Sequence, residues 1–222
     1  MPTFEGQFLS IVFLGRHNPQ ILNHDFLVDQ TVLPRDREPF QSLLAKERNK
    51  QFDQFISTPV MATIRYGPVS IIVDENRYQI KDDRLADPAS SPIMGIARKY
   101  FGDLLRYTPL KVGGVNLNGV IRFTDEEDLG RFEQREGLNR QAISGLIGQP
   151  AFRASLTLGF AWHKGLVEVR LHRAKNEPET IRANFNYEFG YSDIDSFLAN
   201  LDDVGLVYQR FREFLASLEV VA

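Results

Sequence analysis

The chain has 222 residues, a formal net charge of −3 and no cysteine. The missing cysteines exclude a disulfide framework, a Cys-ligated zinc or iron–sulfur site and a thiol nucleophile. The slightly acidic charge argues against a protein built around nucleic acid, although it leaves room for a local basic patch. The 17 phenylalanines, against one tryptophan, indicate a well-filled core or a large interface, because each aromatic side chain buries about 150–250 Å².

The beginning of the chain predicts a cytoplasmic protein with no membrane partner. Residues 1–5 include no basic segment, and the apolar run at 8–14 is too short and too early for a signal peptide. No stretch approaches the roughly 18 apolar residues that a membrane-spanning helix needs.

The first half of the chain predicts one strand, short helices and a meander of three strands. Residues 4–15 alternate loosely between apolar and polar and predict a strand. Asn18-Pro19 fits a helix N-cap followed by proline at the first helical position, and a further helix is expected over 41–52. Turn residues then separate three strands, at 60–66, 69–73 and 77–80.

The clearest helix is predicted from Pro92 to Tyr107. Its apolar residues recur at the helical spacing: Ile93, Ile96, Ala97, Tyr100, Phe101, Leu104 and Leu105. Residues 110–123 then predict a long strand. Three glycines within it, Gly113, Gly114 and Gly119, indicate a bulge or a close approach of another backbone.

The last third of the chain predicts a connector, a second meander and a long helix. Thr124 and Glu127 match a capping box and begin a helical connector that extends to about residue 148. The meander is expected at 152–162, 166–173 and 181–189, where apolar residues alternate well. The final helix is predicted over 194–218, and Gly205 interrupts its apolar stripe at a point that allows close packing or a kink.

Together these elements predict an α+β fold made of two similar units, each a three-strand antiparallel meander followed by a long helix. The N-terminal lobe is expected at 1–123, with a strand, helices, meander, helix and strand. The C-terminal lobe is expected at 124–222, with the helical connector, meander and long helix. Because no Gly-, Ser- or Pro-rich linker separates the lobes, we expect one continuous two-lobed body.

The sequence contains no recognisable catalytic or metal-binding pattern. The segment Gly113–Gly119 lacks the Gly-Lys-Ser/Thr ending of a phosphate-binding loop. The four histidines, at 17, 24, 163 and 172, do not have the spacing of a metal-binding helix, and no Gly-x-Ser-x-Gly is present. Runs of carboxylates are typical of solvated polar faces. We therefore predict no catalytic residue, no cofactor and no metal ion.

One resemblance covers most of the chain. The stretches that carry it are Arg77-Tyr78-Gln79-Ile80, the helix 92–107, the segment 112–118, Asn184-Phe185-Asn186-Tyr187, and the helix 194–218 with Phe211. In this order they resemble a patchily distributed family of uncharacterised bacterial proteins of similar length. The resemblance implies an α+β fold and no assigned activity. The Asp and Arg-Tyr positions of that family's pattern are not identical in this chain.

The leading functional hypothesis is a non-enzymatic interaction or adaptor protein of a bacterial or phage-related cytoplasmic assembly. The aromatic content and the long last helix favour a protein partner or self-association as a homodimer. One alternative is a nucleic-acid-binding module on the second meander, where basic residues alternate with aromatics. A further alternative is an enzyme whose site forms only in the tertiary structure.

A set of polar and aromatic residues is predicted to form an interaction surface. Four lie around the first meander and four lie on the second meander or the last helix: Arg65, Tyr66, Arg77, Tyr78, Trp162, Tyr208, Phe211 and Phe214. Each of them is also compatible with an ordinary wet strand face or a core position.

Overall fold

A computed structural model of the protein describes residues 2–33, 54–84, 90–136, 155–162, 165–174, 177, 179–190 and 194–221. These residues form nine strands: β1 (Thr3–Gly15), β2 (Gln54–Ser57), β3 (Met61–Tyr66), β4 (Val69–Asp74), β5 (Arg77–Asp82), β6 (Leu110–Arg122), β7 (Ser155–Trp162), β8 (Gly165–Arg173) and β9 (Thr180–Gly190). All nine belong to one antiparallel sheet in the order β2-β3-β4-β5-β1-β6-β9-β8-β7.

The described residues also form five α-helices: α1 (His24–Asp29), α2 (Ile93–Lys99), α3 (Glu126–Arg135), α4 (Ile194–Asn200) and α5 (Val204–Ser217). A π turn at Tyr100–Leu104 extends α2, and a 3₁₀ turn at Leu201–Asp203 joins α4 to α5. The fold is therefore α+β, with an antiparallel sheet and separate helices. None of the helices in the described ranges is long and apolar enough to span a membrane.

The same order of elements occurs twice along the chain. Each unit begins with a long strand, β1 or β6, and continues with a helix, a meander and a second helical segment. In each unit the last strand of the meander returns to pair with the first strand, β5 with β1 and β9 with β6. Because β1 and β6 also pair with each other, the two units share one sheet.

The sheet has one apolar face, which we call the helix face. On it, Phe13, Ile11 and Leu9 of β1 are fully buried, and the register places them opposite Gly113, Val115 and Leu117 of β6. The buried residues of α2, α4 and α5 join the same core cluster. This period-two burial is what a sheet covered on one side requires.

Two glycines of β6 let aromatic rings approach the sheet centre. Phe197 of α4 packs against Gly113, and Phe4 of β1 packs against Gly119, so closely that a Cβ at either position would overlap the ring. The Phe4 ring in turn meets Phe211 of α5 edge to face, with 5.2 Å between ring centroids. The glycines predicted to mark a close approach therefore seat the helices on the sheet.

The opposite face of the sheet, which we call the polar face, carries a central row of short polar side chains. The register aligns Ser10, Asn116, Asn186 and Glu168 across four strands. In the next row Asn184 donates a hydrogen bond to Asn118 Oδ1 over 2.6 Å.

One carboxylate on the helix face is fully buried. Asp82 accepts two hydrogen bonds from the Arg84 guanidinium, at 3.0 and 2.9 Å, and one from Ser91 Oγ at 2.8 Å. A charge buried in this way is tolerated because its oxygens are satisfied. The arrangement fixes the end of β5 near the start of α2.

The structure differs from the sequence expectations at several elements. The first meander has an additional edge strand, β2. The short helices expected after Asn18-Pro19 are present as a 3₁₀ turn at Pro19–Ile21, which Asn18 caps through Gln20 N, and as α1. Asp125, not Thr124, caps α3 by accepting from Asp128 N at 2.8 Å. The helix expected at 41–52, and the connector beyond residue 136, lie outside the described residues.

The two long helices are also interrupted. The helix expected at 92–107 changes to π geometry at Tyr100, where Leu105 N bonds to Tyr100 O over 3.0 Å. The helix expected at 194–218 contains the 3₁₀ turn at Leu201–Asp203. Apolar spacing alone does not distinguish these variants from a regular α-helix, because all of them keep one side facing the core.

Candidate interaction surface

β7 lies at one end of the sheet, and its only partner among the described residues is β8. The opposite edge of the sheet is β2, which has four residues against eight in β7. In an antiparallel strand every second residue directs its N–H and C=O away from a given neighbour. β7 therefore presents a row of backbone donors and acceptors on its outer side.

The composition of β7 lacks the usual protection of an edge strand. Its sequence, Ser-Leu-Thr-Leu-Gly-Phe-Ala-Trp, contains no charged residue and no proline. Natural edge strands are commonly blocked by lysine, proline or a bulge, because a bare edge pairs with other chains. β7 pairs with β8 in unbroken register from Ser155 to Trp162, so no bulge disrupts it either.

Apolar side chains are exposed on and beside this edge. On the helix face, Leu158 is 39% and Phe160 is 45% exposed. On the polar face, Leu166 of β8 lies opposite Ala161 and is 60% exposed. The edge thus combines backbone groups that no described strand pairs with and apolar surface on both sides, which is the chemistry of a strand-binding site.

A groove of about 510 Å³ runs over the polar face beside β7. Its lining includes Gly159, Ala161, Leu166, Glu168, Asn186 and Glu188. Gly159 leaves it open, since a Cβ built there would meet no atom within 4 Å. Glu168 accepts a hydrogen bond from Arg170 over 2.8 Å, whereas no described basic side chain pairs with the exposed Glu188.

The predicted surface residues of the first meander do not form one surface. Arg65 and Arg77 lie at opposite ends of the meander and are paired, Arg65 Nη2 with Asp83 Oδ2 at 3.3 Å and Arg77 Nε with Asp74 Oδ2 at 3.4 Å. Tyr78 is fully buried in the core, so it cannot contribute to an exposed surface. Tyr66 ends β3, and its side chain is outside the described part of the molecule.

The other predicted residues also divide between edge and core. Phe211 is fully buried and packs against Phe4 and Phe185, so it belongs to the core and not to a surface. Tyr208 and Phe214 are half-buried and pack against that core. Trp162 is the one predicted residue within β7, and its ring contacts Tyr187 with 5.2 Å between centroids.

A buried aromatic and histidine cluster lies at the far end of β1. His17 is 9% exposed. Among the described residues, neither ring nitrogen meets a partner at full hydrogen-bond geometry, although the Phe13 backbone interacts with the imidazole. The Tyr78 hydroxyl is also buried without a partner, and burial raises the pKa of Tyr78. Neither side chain lines the cleft of about 370 Å³ that Phe26, Leu104 and Leu105 form with other residues. The His17 ring does lie near Phe101 of the π turn, with 6.1 Å between centroids.

The basic side chains of the polar face are largely neutralised by carboxylates. Arg122 pairs with Glu5 at 2.7 Å, Lys81 with Asp83 at 2.6 Å and Arg170 with Glu168 at 2.8 Å. Within the part of the chain that the structure describes, no three His, Asp or Glu side chains converge on a point where a metal ion would be held.

No protein-family model matches this chain, and no curated protein matches it at a significant level.

Most residues of the β7 surface were not predicted from the sequence. Gly159, Leu166, Glu168 and Glu188 carry no motif, and their proximity depends on the strand register. The available signal was the uncharged run at 155–162. That run indicates an unprotected edge only once the strand order is known.

Proposed function

We propose that this chain is a non-enzymatic protein-binding protein of a bacterial or phage-related cytoplasmic assembly, and that it binds an extended segment of another protein along β7. The observation that carries the proposal is the long, uncharged outer edge of β7, which no described residue covers. An added strand satisfies such an edge with main-chain hydrogen bonds, while side chains on alternate faces provide specificity.

The apolar side chains beside the edge add affinity to this mode of binding. An added strand would cover part of Leu158 and Phe160 on the helix face, and burial of apolar area contributes about 25 cal/mol per Å². Main-chain hydrogen bonds contribute about 0.5–1.5 kcal/mol each. The main-chain contribution does not depend on the partner's sequence, which suits an adaptor.

Self-association through the same edge is the competing form of this function. A second copy of β7 brings no charge that would oppose pairing. It also brings no positive side chain to set beside Glu168 and Glu188, because its polar-face residues are Ser155, Thr157, Gly159 and Ala161. Charge complementarity therefore favours a different chain.

The alternatives have less support. Phosphate binding needs available positive charge, and the paired arginines of the polar face offer little of it. An enzyme needs a pocket in which reactive groups converge. The cleft of about 370 Å³ is lined by no described ionisable side chain, and the described acids of the groove beside β7 are Glu168, which pairs with Arg170, and the exposed Glu188. The family resemblance remains part of this proposal and brings no activity with it.

The variant Thr157→Lys tests the proposal, because a lysine on an exposed edge strand blocks pairing without removing a core contact. The probe is a synthetic peptide, Val-Thr-Val-norleucine-Val-Thr-Val, carrying a polyethylene glycol tail for solubility. In NMR titrations it should shift the amide signals of residues 155–162, and Thr157→Lys should weaken its binding at least several-fold.

Thr124→Lys is the matched control, since it adds the same charge at an exposed site away from the sheet edge. It should bind the probe as the unchanged protein does. Failure of the probe to perturb β7, or equal binding by a folded Thr157→Lys variant, would contradict the proposal.

A further inference from the structure

We propose that the segment bound along β7 places a lysine or arginine side chain on the polar face opposite Gly159, where Glu168 and Glu188 receive its charge. This inference rests on the proposed function, because it assumes a strand added to β7. It specifies the partner by the chemistry of one side chain.

The register determines which groups that side chain would meet. Gly159 is aligned with Glu168 of β8 and Asn186 of β9, and the neighbouring row aligns Ala161, Leu166 and Glu188. With about 4.8 Å between adjacent strands, an added strand lies roughly 10 Å from β8. A lysine or arginine side chain and the Glu168 side chain reach across that distance together, whereas Glu188 on β9 lies one strand farther, roughly 14 Å from the added strand, and attracts the charge at longer range.

The groove also fits the shape of a long basic side chain. The absence of a side chain at Gly159 leaves a passage over β7, with no atom within 4 Å of the position of a Cβ. Leu166, 60% exposed, offers an apolar surface for the aliphatic part of the side chain. Long basic side chains characteristically lay their stems on apolar surface and keep the charge in water.

Arg170 of β8, which is aligned with Thr157, already pairs with Glu168 over 2.8 Å. The two glutamates and this arginine together leave a net negative charge, and Glu188, which has no described basic partner, lies on the Ala161 side of Gly159. A basic side chain opposite Thr157 would lie beside the Arg170 guanidinium and farther from Glu188. The position opposite Gly159 is therefore the more favourable one for the positive charge.

The test compares three peptides that differ only at the central residue of the probe described above: lysine, norleucine and glutamate. The lysine peptide should bind about fivefold more tightly than the norleucine peptide at low salt, as expected for a partly exposed ion pair. The glutamate peptide should bind more weakly than either. The preference for lysine should decline as ionic strength rises.

The double variant Glu168→Gln/Glu188→Gln should lose the preference for lysine, and because it leaves Arg170 without its carboxylate, it should bind the glutamate peptide at least as well as the lysine peptide. Glu75→Gln, which removes an exposed acid from a turn at the other meander, is the matched control and should keep the preference. If the double variant is unstable by circular dichroism, the two single variants carry the test, and each should lose part of the preference. Glu188→Lys should shift the preference towards the glutamate peptide.

Three results would overturn the inference, and they separate it from the proposed function. Equal binding of the lysine and norleucine peptides at β7 would contradict the charge subsite and would still support strand binding. Absence of any peptide effect at β7 would contradict both the charge subsite and strand binding. A stable dimer in light scattering that Thr157→Lys dissociates would show that a second copy of the chain occupies the edge. The inference of a basic partner segment would then be wrong.

Discussion

At the scale of single residues, His17 is the buried group whose charge state has a consequence for stability. Its ring lies near the aromatic rings of Tyr78 and Phe101, with centroids 6.4 and 6.1 Å away. Burial lowers the pKa of His17, and the Phe13 backbone and the negative charge of Asp74 oppose that shift only in part. The native state therefore favours the neutral imidazole.

The stability of the protein should fall on mild acidification for this reason. The unfolded chain takes up a proton at His17 near the ordinary pKa of about 6.5, whereas the native state takes it up only below its lowered pKa. The stability that the neutral His17 side chain contributes is fully present above pH 6.5. It is lost as the pH falls from there through the lowered pKa of His17 in the native state. Urea midpoints measured across this range should show the decline.

The variant His17→Phe isolates that contribution. It should remove the part of the pH dependence that arises between the two pKa values, and it places an aromatic ring where aromatic rings already surround the site. An unchanged slope of stability against pH in a folded His17→Phe protein would show that another group is responsible.

At the scale of elements, the contact between β1 and β6 depends on a glycine. A methyl group at Gly119 would overlap the Phe4 ring and lie 2.6 Å from the carbonyl oxygen of Glu5. The Glu5 carbonyl belongs to the β1 backbone, which pairs with β6 at Gly6–Gly119 and is irregular just beyond, between Gly6 and Phe8. Because relief of the overlap needs a shift of paired backbone, Gly119→Ala should destabilise the protein by about 1–3 kcal/mol. Thermal or urea unfolding measures the effect.

Gly130→Ala is the control for that change. Gly130 is exposed within α3 and has no atom within 4 Å of a built Cβ. Alanine there should stabilise the helix by up to about 1 kcal/mol. If both alanine variants had the same stability, the close packing of Phe4 on Gly119 would not matter to the fold.

Local patterns predicted most elements and missed the features that depend on neighbours. Alternation predicted β8 and β9, and apolar spacing predicted both helical segments after the meanders. The π turn at Tyr100–Leu104 and the 3₁₀ turn at Leu201–Asp203 keep the same buried side, so spacing could not reveal them. The edge position of β7 follows from long-range pairing, which a local pattern does not contain.

The candidate site illustrates the same limit. Tyr78 and Phe211 have the chemistry of surface anchors, and the structure buries both completely. Glu168 and Glu188 become neighbours of β7 only because β8 and β9 lie beside it in register. The sequence shows which residues are aromatic or basic, but the order and register of the strands determine which of them are exposed.

At the scale of the whole molecule, the pairing of β1 with β6 should make the two units unfold together. The register between them runs from Thr3–Arg122 to Gly15–Leu110, and buried residues of both units form one core cluster. Scanning calorimetry should give a single transition with equal calorimetric and van't Hoff enthalpies. Two resolved transitions would show that the units are independent.

The central claim is that the outer edge of β7 binds an extended segment, and amide hydrogen exchange tests it most directly. In the free protein, the amides of 155–162 that point outward should exchange rapidly. A saturating amount of the lysine peptide should slow exchange at every second residue of β7 and leave β2 unchanged. Slowed exchange elsewhere with none at β7, or no change at all, would contradict the account.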